Sequence, residues 1–345
     1  MTIVFVVLAV FLALAVHEGG HALAGSLRGM RLAMLVVGPL HIQREADGHL
    51  RWRLNRMLSL AGGAVSSVPG TTEGLRRAVL AFTAGGPVAS VLAGALALAT
   101  YGLADLGSAA AEDGTLRQAL AGSVFIFGAI SSGIGFVTLL PVSQGAFVSD
   151  GKRILRLLRP GPAAEGHAAV AAIGSWMIAG VRPRAWSPGL IAKAVALADG
   201  SHEDLSGRHM AWAHAVDQGD AAAAGEHIRY LADHAAAAHA QYRPVIDLTV
   251  AYFDAAYLGD AASARRRLAR AGTSPLLAFD PTARTRAEGA VLLAEGDAEG
   301  GFRKLVEAYA VLGRARSWDK GFNMAEIRRL CRARGLPHPG ADRAR

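Results

Sequence analysis

Three stretches of this 345-residue chain run without a single charged side chain: residues 2–16, with apolar character resuming at 22–25, then residues 78–104, then residues 118–149. Each holds about 20 helical residues, the length that crosses roughly 30 Å of hydrocarbon. The pattern predicts membrane spans near residues 3–25, 79–101 and 119–140. A fourth apolar stretch, 168–181, is too short to span by the same rule. Composition agrees. Hydrophobic residues make up 52% and charged residues 19%, whereas soluble domains carry nearer a quarter charged. Disorder is excluded, and an ordinary cytosolic enzyme is not what this balance describes. The one cysteine, Cys331, excludes a disulfide framework and any cysteine-cluster metal site, so a metal here takes His and carboxylate ligands. The net charge of +8, in so apolar a chain, points to the inner membrane face rather than to nucleic acid.

Arginine sets the expected orientation. Between the first two runs lie Arg28, Arg31, Arg44, Arg51, Arg53, Arg56, Arg76 and Arg77, against Glu45, Asp47 and Glu73. The loop after the second run is acidic, with Asp105, Glu112 and Asp113 against Arg117, and Lys152, Arg153, Arg156 and Arg159 follow the third. Basic segments stay in the cytoplasm. The N-terminus is therefore expected outside and the C-terminal half inside, in a multi-pass protein of the cell membrane. Residues 1–25 have a second reading as a cleaved signal peptide, with Ala22-Leu23-Ala24 before Gly25 as the cleavage site. The lack of Lys or Arg before the apolar run and the two further spans favour a retained helix.

Residues 32–55 read differently. Two alternating segments, His41–Arg44 and His49–Leu54, flank Ala46-Asp47-Gly48, and Asp-Gly is a hairpin turn signal. The expectation is a membrane-associated β-hairpin on the inner face, with an edge able to pair with an extended peptide.

His17-Glu18-Gly19-Gly20-His21 falls within the first apolar segment. Ionisable groups inside a span are costly and mark function by default. Histidines four apart on a helix point the same way, so both imidazoles can reach one ion. Glu18 is placed to hold and deprotonate a metal-bound water, and Gly19 and Gly20 let another backbone approach closely. The bland reading is two histidines satisfied inside a helix bundle. Tetrahedral zinc needs a third protein ligand and leaves a fourth position for water. None of the other ten histidines lies in a predicted span. Asp150, ending the third uncharged run in Ser149-Asp150-Gly151, is the useful candidate. By the orientation above, His17 lies about two-thirds of the way along the first helix toward the inside, so His17, His21 and Asp150 can converge near the cytoplasmic side. Taken alone, Asp150 reads as an Asp-Gly turn or a helix cap at the membrane edge.

With these residues in view, the chain resembles the site-2 protease family of intramembrane zinc metalloproteases. The resemblance covers roughly residues 1–160. It rests on His17-Glu18-Gly19-Gly20-His21, on Gly85-Gly86-Pro87, which is similar to that family's Gly-Pro motif, and on Leu139-Leu140-Pro141 with Asp150-Gly151, similar to its Asn-x-x-Pro…Asp-Gly motif. It implies one zinc ion per chain held by His17, His21 and Asp150, Glu18 as general base, a transmembrane helix as substrate, and substrate contacts from Gly86, Pro87, Thr138 and Pro141. Two positions depart from the family pattern: Thr138 stands where Asn is usual, and Ser90 where the Gly-Pro motif often ends in Asn. Loop 142–149 is longer than the common pattern and reads either as a lid or as a plain connector.

After Arg159-Pro160-Gly161-Pro162 the chain becomes rich in alanine, arginine and leucine at helical spacing. A Gly-Asp pair recurs as Gly219-Asp220, Gly259-Asp260 and Gly296-Asp297. Gly ends one helix and Asp caps the next. This resembles helix-turn-helix repeats of the tetratricopeptide type, which stack around a shared core and leave a concave binding face.

The expected fold is mainly α. A three-helix intramembrane metalloprotease core with a β-hairpin occupies 1–160, and a cytoplasmic all-α, tetratricopeptide-like domain occupies 161–345. The expected partners are the bilayer, a transmembrane protein substrate and a cytoplasmic protein on the helical domain, with no nucleic acid. Two other functions fit the same residues: a non-catalytic relative of the protease that binds membrane clients through its helical domain, and a metal-binding membrane transporter.

Overall fold

The computed structural model describes residues 2–45, 48–55, 62–104, 115–144, 147–314 and 319–340. Its two compact units are Met1–Ala179 and Gly180–Arg345. Asp47, Arg56 and the acidic loop residues Asp105, Glu112 and Asp113, used above for the hairpin turn and the orientation, lie outside the described residues.

The first unit opens with helix α1 (Thr2–Ser26), and its other long helices are α2 (Leu75–Leu103) and α3 (Thr115–Leu139). Three segments are long and apolar enough to cross a membrane: Ile3–Ser26, Leu75–Leu103 and Gln118–Leu139. Their outer faces expose Val4, Val7, Leu92, Leu96, Phe125 and Phe136, far more contiguous apolar surface than a water-soluble domain presents. Small residues bring the helices together. A Cβ at Gly20 would collide with the Gly85 carbonyl, and one at Gly85 with the Gly20 carbonyl, so α1 and α2 touch backbone to backbone. Gly94 and Gly128 play the same part between α2 and α3. Pro87 lies inside α2 without ending it.

Between α1 and α2 the chain forms a four-stranded antiparallel sheet: β1 (Met30–Val37), β2 (Leu40–Arg44), β3 (Leu50–Leu54) and β4 (Ala64–Pro69), in the order β3-β2-β1-β4. The expected hairpin is the β2–β3 pair, in register from Leu40↔Leu54 to Arg44↔Leu50. The sheet is larger than that hairpin. β1 pairs with β2 across Gly38-Pro39, where Gly38 takes the left-handed φ of 52° that a turn of two residues needs. β4 pairs on the other side of β1. Loop 142–149 contains two short paired strands, β5 (Ser143–Gln144) and β6 (Phe147–Val148), and then helix α4 (Asp150–Leu158).

Helix α5 (Pro162–Ile178) packs on α2, α4 and β4, so the first unit runs to residue 179 and not to the Pro-Gly cluster near 160. Pro162 does not separate two units: it occupies the first turn of α5, where its missing N–H costs nothing. The Arg76 Nη1 donates to the Leu157 carbonyl at 2.6 Å, tying α2 to the end of α4.

The described residues of the second unit form helices and the turns between them. Its main helices are α6 (Pro188–Val195), α7 (His202–Gln218), α8 (Ala221–His234), α9 (Arg243–Phe253), α10 (Ala261–Arg270), α11 (Ala283–Ala294), α12 (Ala298–Arg314) and α13 (Lys320–Ala333). The three Gly-Asp pairs connect α7 to α8, a turn of π-helix after α9 to α10, and α11 to α12. Gly219, Gly259 and Gly296 all have positive φ. Asp220, Asp260 and Asp297 accept from the backbone N–H three residues on, at 2.9, 2.8 and 2.8 Å. Each Asp therefore satisfies an N–H that the first helical turn leaves unpaired. Leu248, Tyr252, Leu268, Val291, Leu305, Ile327 and Leu330 belong to the apolar core beneath these hairpins.

Candidate metal centre

α1 continues through Gly19 and Gly20, so His17 and His21 fall one turn apart on the face turned to α2. Each ring is fixed through Nδ1. The His21 Nδ1 lies 2.7 Å from the Phe82 carbonyl of α2, which can only accept, so Nδ1 carries a proton and Nε2 is the nitrogen left to act as a ligand. The Gly86 N–H also lies 3.3 Å from this nitrogen. In a helix that N–H points at the Phe82 carbonyl four residues back, so the shorter contact decides the tautomer. The His17 Nδ1 pairs with the Ser90 hydroxyl at 3.0 Å. Ser90 is fully buried, and its carbonyl accepts from Ser131 of α3 at 3.0 Å. Gly86 lies so close to the His21 ring that any side chain there would strike it.

Asp150 is delivered by a different device. Ser149 caps α4 by accepting from the Lys152 N–H; it also accepts from the Val142 N–H at 3.0 Å and donates to the Leu140 carbonyl. A Cβ at Gly151 would overlap the Leu139 carbonyl, so only glycine lets α4 begin hard against the end of α3. Asp150 thereby reaches His17 Nε2 at 3.3 Å and His21 Nε2 at 3.5 Å, while the two Nε2 atoms are 3.3 Å apart. His17, His21 and Asp150 are the metal-competent group among the described residues.

These three edges carry the chemical argument. A tetrahedral ion bonded to nitrogen and oxygen at about 2.05 Å separates its ligands by about 3.3–3.4 Å. The donor triangle has that size. With both Nδ1 atoms turned to α2, the two Nε2 atoms and a carboxylate oxygen face one another, an arrangement that a cation can neutralise. The residues therefore fit a bound metal ion; the donors do not by themselves name the metal, although nitrogen and carboxylate ligands suit zinc.

Glu18 is also buried, with His21, His17 and Asp150 as its charged or titratable neighbours. Its carboxylate lies against Gly63, just before β4. Gly63 has φ 109°, and a Cβ there would collide with the Glu18 carboxylate. The backbone leading into β4 thus packs against the acid.

The other positions expected to touch substrate take different places. Pro87 is buried within α2, its carbonyl close to Gly135 of α3. Thr138 donates to the Ile134 and Gly135 carbonyls of its own helix at 2.9 and 3.2 Å. Pro141 is exposed and lines a cleft with α4. Sequence reasoning did not assign the parts of Phe82, Ser90, Ser149 and Gly63. Ser90 is 73 residues from the ring it orients, and the Phe82 contribution is a carbonyl that every residue has. Comparison with family models, curated proteins and solved structures gives no match.

Proposed function

We propose that this chain is an intramembrane zinc endopeptidase of the site-2 protease type, cutting a transmembrane protein. The reading is carried by one observation: a buried triangle of two imidazole nitrogens and a carboxylate, of tetrahedral size, with a second carboxylate beside it on a helix long and apolar enough to cross a membrane. His17, His21 and Asp150 would hold the zinc, which would supply Lewis acidity at neutral pH. Glu18 takes a proton from the attacking water as the new C–O bond forms. It returns that proton to the leaving amine as the peptide C–N bond breaks. Gly86, Pro87 and Thr138 shape the helices around the ligands, and Pro141 sits at an open cleft where a substrate can approach.

The arginine pattern supports a cytoplasmic inner end for the site and a cytoplasmic second unit. The three Gly-Asp helix hairpins of that unit support a tetratricopeptide-like module that recruits a protein partner.

The test is the full chain purified in detergent, assayed for zinc and against a panel of transmembrane substrates. Glu18→Gln is expected to keep one zinc per chain and lose cleavage by about 10²–10⁴-fold. Undiminished cleavage by Glu18→Gln would overturn the assignment, and a wild-type chain that binds no zinc would remove its basis.

A further inference from the structure

Helix α4 is nine residues long, and its first residue is Asp150. Two of its positions are buried, Gly151 at the start and Leu157 near the end. The start is fixed to α3: Gly151 lies against the Leu139 carbonyl, and the Ser149 hydroxyl before it donates to the Leu140 carbonyl. The two histidine rings take their positions from a different helix, because the Phe82 carbonyl and the Ser90 hydroxyl both belong to α2. A donor triangle with edges of 3.3, 3.3 and 3.5 Å keeps its size only when all three ligands share one frame of reference, since a site of this kind tolerates errors of only about 0.5 Å.

Arg76 supplies that link. It stands in the first turn of α2, where a cation opposes the helix dipole and gains nothing locally. Its Nη1 donates to the Leu157 carbonyl at 2.6 Å, across 81 residues of sequence. That carbonyl is among the last four of α4, which have no donor within their own helix. An arginine there satisfies the carbonyl and complements the negative end of the helix. The same guanidinium reaches α5, with Nε 3.8 Å from the Glu165 carboxylate. Each ligand is thus referred to α2 by one polar contact: His17 through Ser90, His21 through Phe82, and Asp150 through Arg76 and the length of α4. Without Arg76, α4 keeps its attachment to α3 and loses its polar tie to the helix that aims the two rings.

We infer that Arg76 is a positioning residue of the metal centre, setting Asp150 against the two histidines through the far end of α4. The inference rests on the reading of His17, His21 and Asp150 as metal ligands and not on proteolysis.

The experiment is zinc binding by the full chain in detergent, read by competition with a chelator at a temperature where the chain is folded. Unfolding of the zinc-free chain by denaturant is measured beside it. Arg76→Gln is expected to lower zinc affinity about tenfold, the lower end of the effect of deleting an outer partner of a metal ligand. Arg76→Lys keeps the charge and a donor and is expected to fall between Arg76→Gln and the wild type. Arg77→Gln removes an exposed cation from the same helical turn and is expected to leave the affinity unchanged. Cobalt in place of zinc reads the geometry: the strong visible bands of a four-coordinate ion are expected in the wild type and in Arg77→Gln, and weaker bands in Arg76→Gln. A merely structural role would lower the stability of the zinc-free chain and leave the affinity of the folded chain where it was; that result would overturn the inference, as would an equal loss of affinity in Arg77→Gln. If Arg76→Gln does not fold, wild-type affinity in Arg76→Lys overturns it instead. A wild-type chain that takes up no zinc fails the metal reading itself, whereas equal affinity in the wild type and Arg76→Gln fails this inference alone.

Discussion

The two units bury charge in opposite ways. In the second, each of the following buried ionic groups meets its partner within the fold. Asp247 is gripped by Arg267 and Arg270, and Arg286 by Asp280 and Thr282. Glu326 takes Arg329 at 3.2 Å and the Tyr257 hydroxyl at 2.6 Å, while Asp204 accepts from Tyr230 at 2.6 Å and from the Gly200 N–H at 2.9 Å. In the first unit, folding draws two imidazole nitrogens and a carboxylate into a triangle, and among the described residues no Lys or Arg is ion-paired with it. A buried charge paired at home is compensated within the fold; buried donor atoms gathered at one point make a group that could hold a metal ion. The same energetic rule, that burial must be compensated, yields architecture in one unit and a ligand site in the other.

Removing metal is the strongest way to break this contrast. Chelation is expected to loosen α1 and α2 and leave α9 through α13 untouched, as read by hydrogen exchange segment by segment. The stabilisation lost is about 4 kcal/mol where free metal had stood a thousandfold above its dissociation constant. Equal loss of protection in both units would erase the distinction.

Acid probes the second unit through His209. This ring pairs with the Tyr242 hydroxyl at 3.0 Å, and burial, with a smaller contribution from Arg286, pulls its pKa down to about 4. The unfolded chain takes up a proton near pH 6.5 that the folded chain refuses until about pH 4. Stability is thus complete above pH 6.5 and falls as the pH drops between those values, by at most about 3 kcal/mol. Denaturant unfolding followed against pH is expected to show this slope, and His209→Gln to flatten it. A slope of unchanged size in the variant would assign the effect to other groups.

Ser90→Ala sharpens the comparison on the metal side at the smallest cost. It removes the hydroxyl that holds the His17 ring and leaves all three ligands in place. Metal affinity is expected to fall about 10–100-fold, the usual effect of deleting an outer partner of a metal-binding histidine. Competition with a chelator measures it, and unchanged affinity would show that packing alone orients the ring.

What was legible in the sequence was whatever repeats or excludes at short range. The absence of charge over long runs marked the three apolar helices. The i, i+4 histidines marked one ion-facing helix side, and the Gly-Asp pairs marked three helix connections. Asp150 was reachable because it ended an uncharged run. The sequence pattern predicts the sheet only in its β2–β3 part. Ala64–Pro69 has two adjacent serines that are both buried and little alternation, so pairing with β1, not its own pattern, makes it a strand. The Pro-Gly cluster before helix α5 is a strong local signal that predicts a boundary there, whereas the attachment of α5 to α2, α4 and β4 is a tertiary fact.

Gly63 joins the helical and sheet halves of the site in one constraint. Its left-handed backbone already disfavours a side chain, and the room a methyl would need is filled by the acid of α1. Natural variants that keep Glu18 in this pose should therefore keep glycine at 63, however freely the outer strands drift. That pairing gives sequence comparison a marker for this core, independent of the histidines themselves.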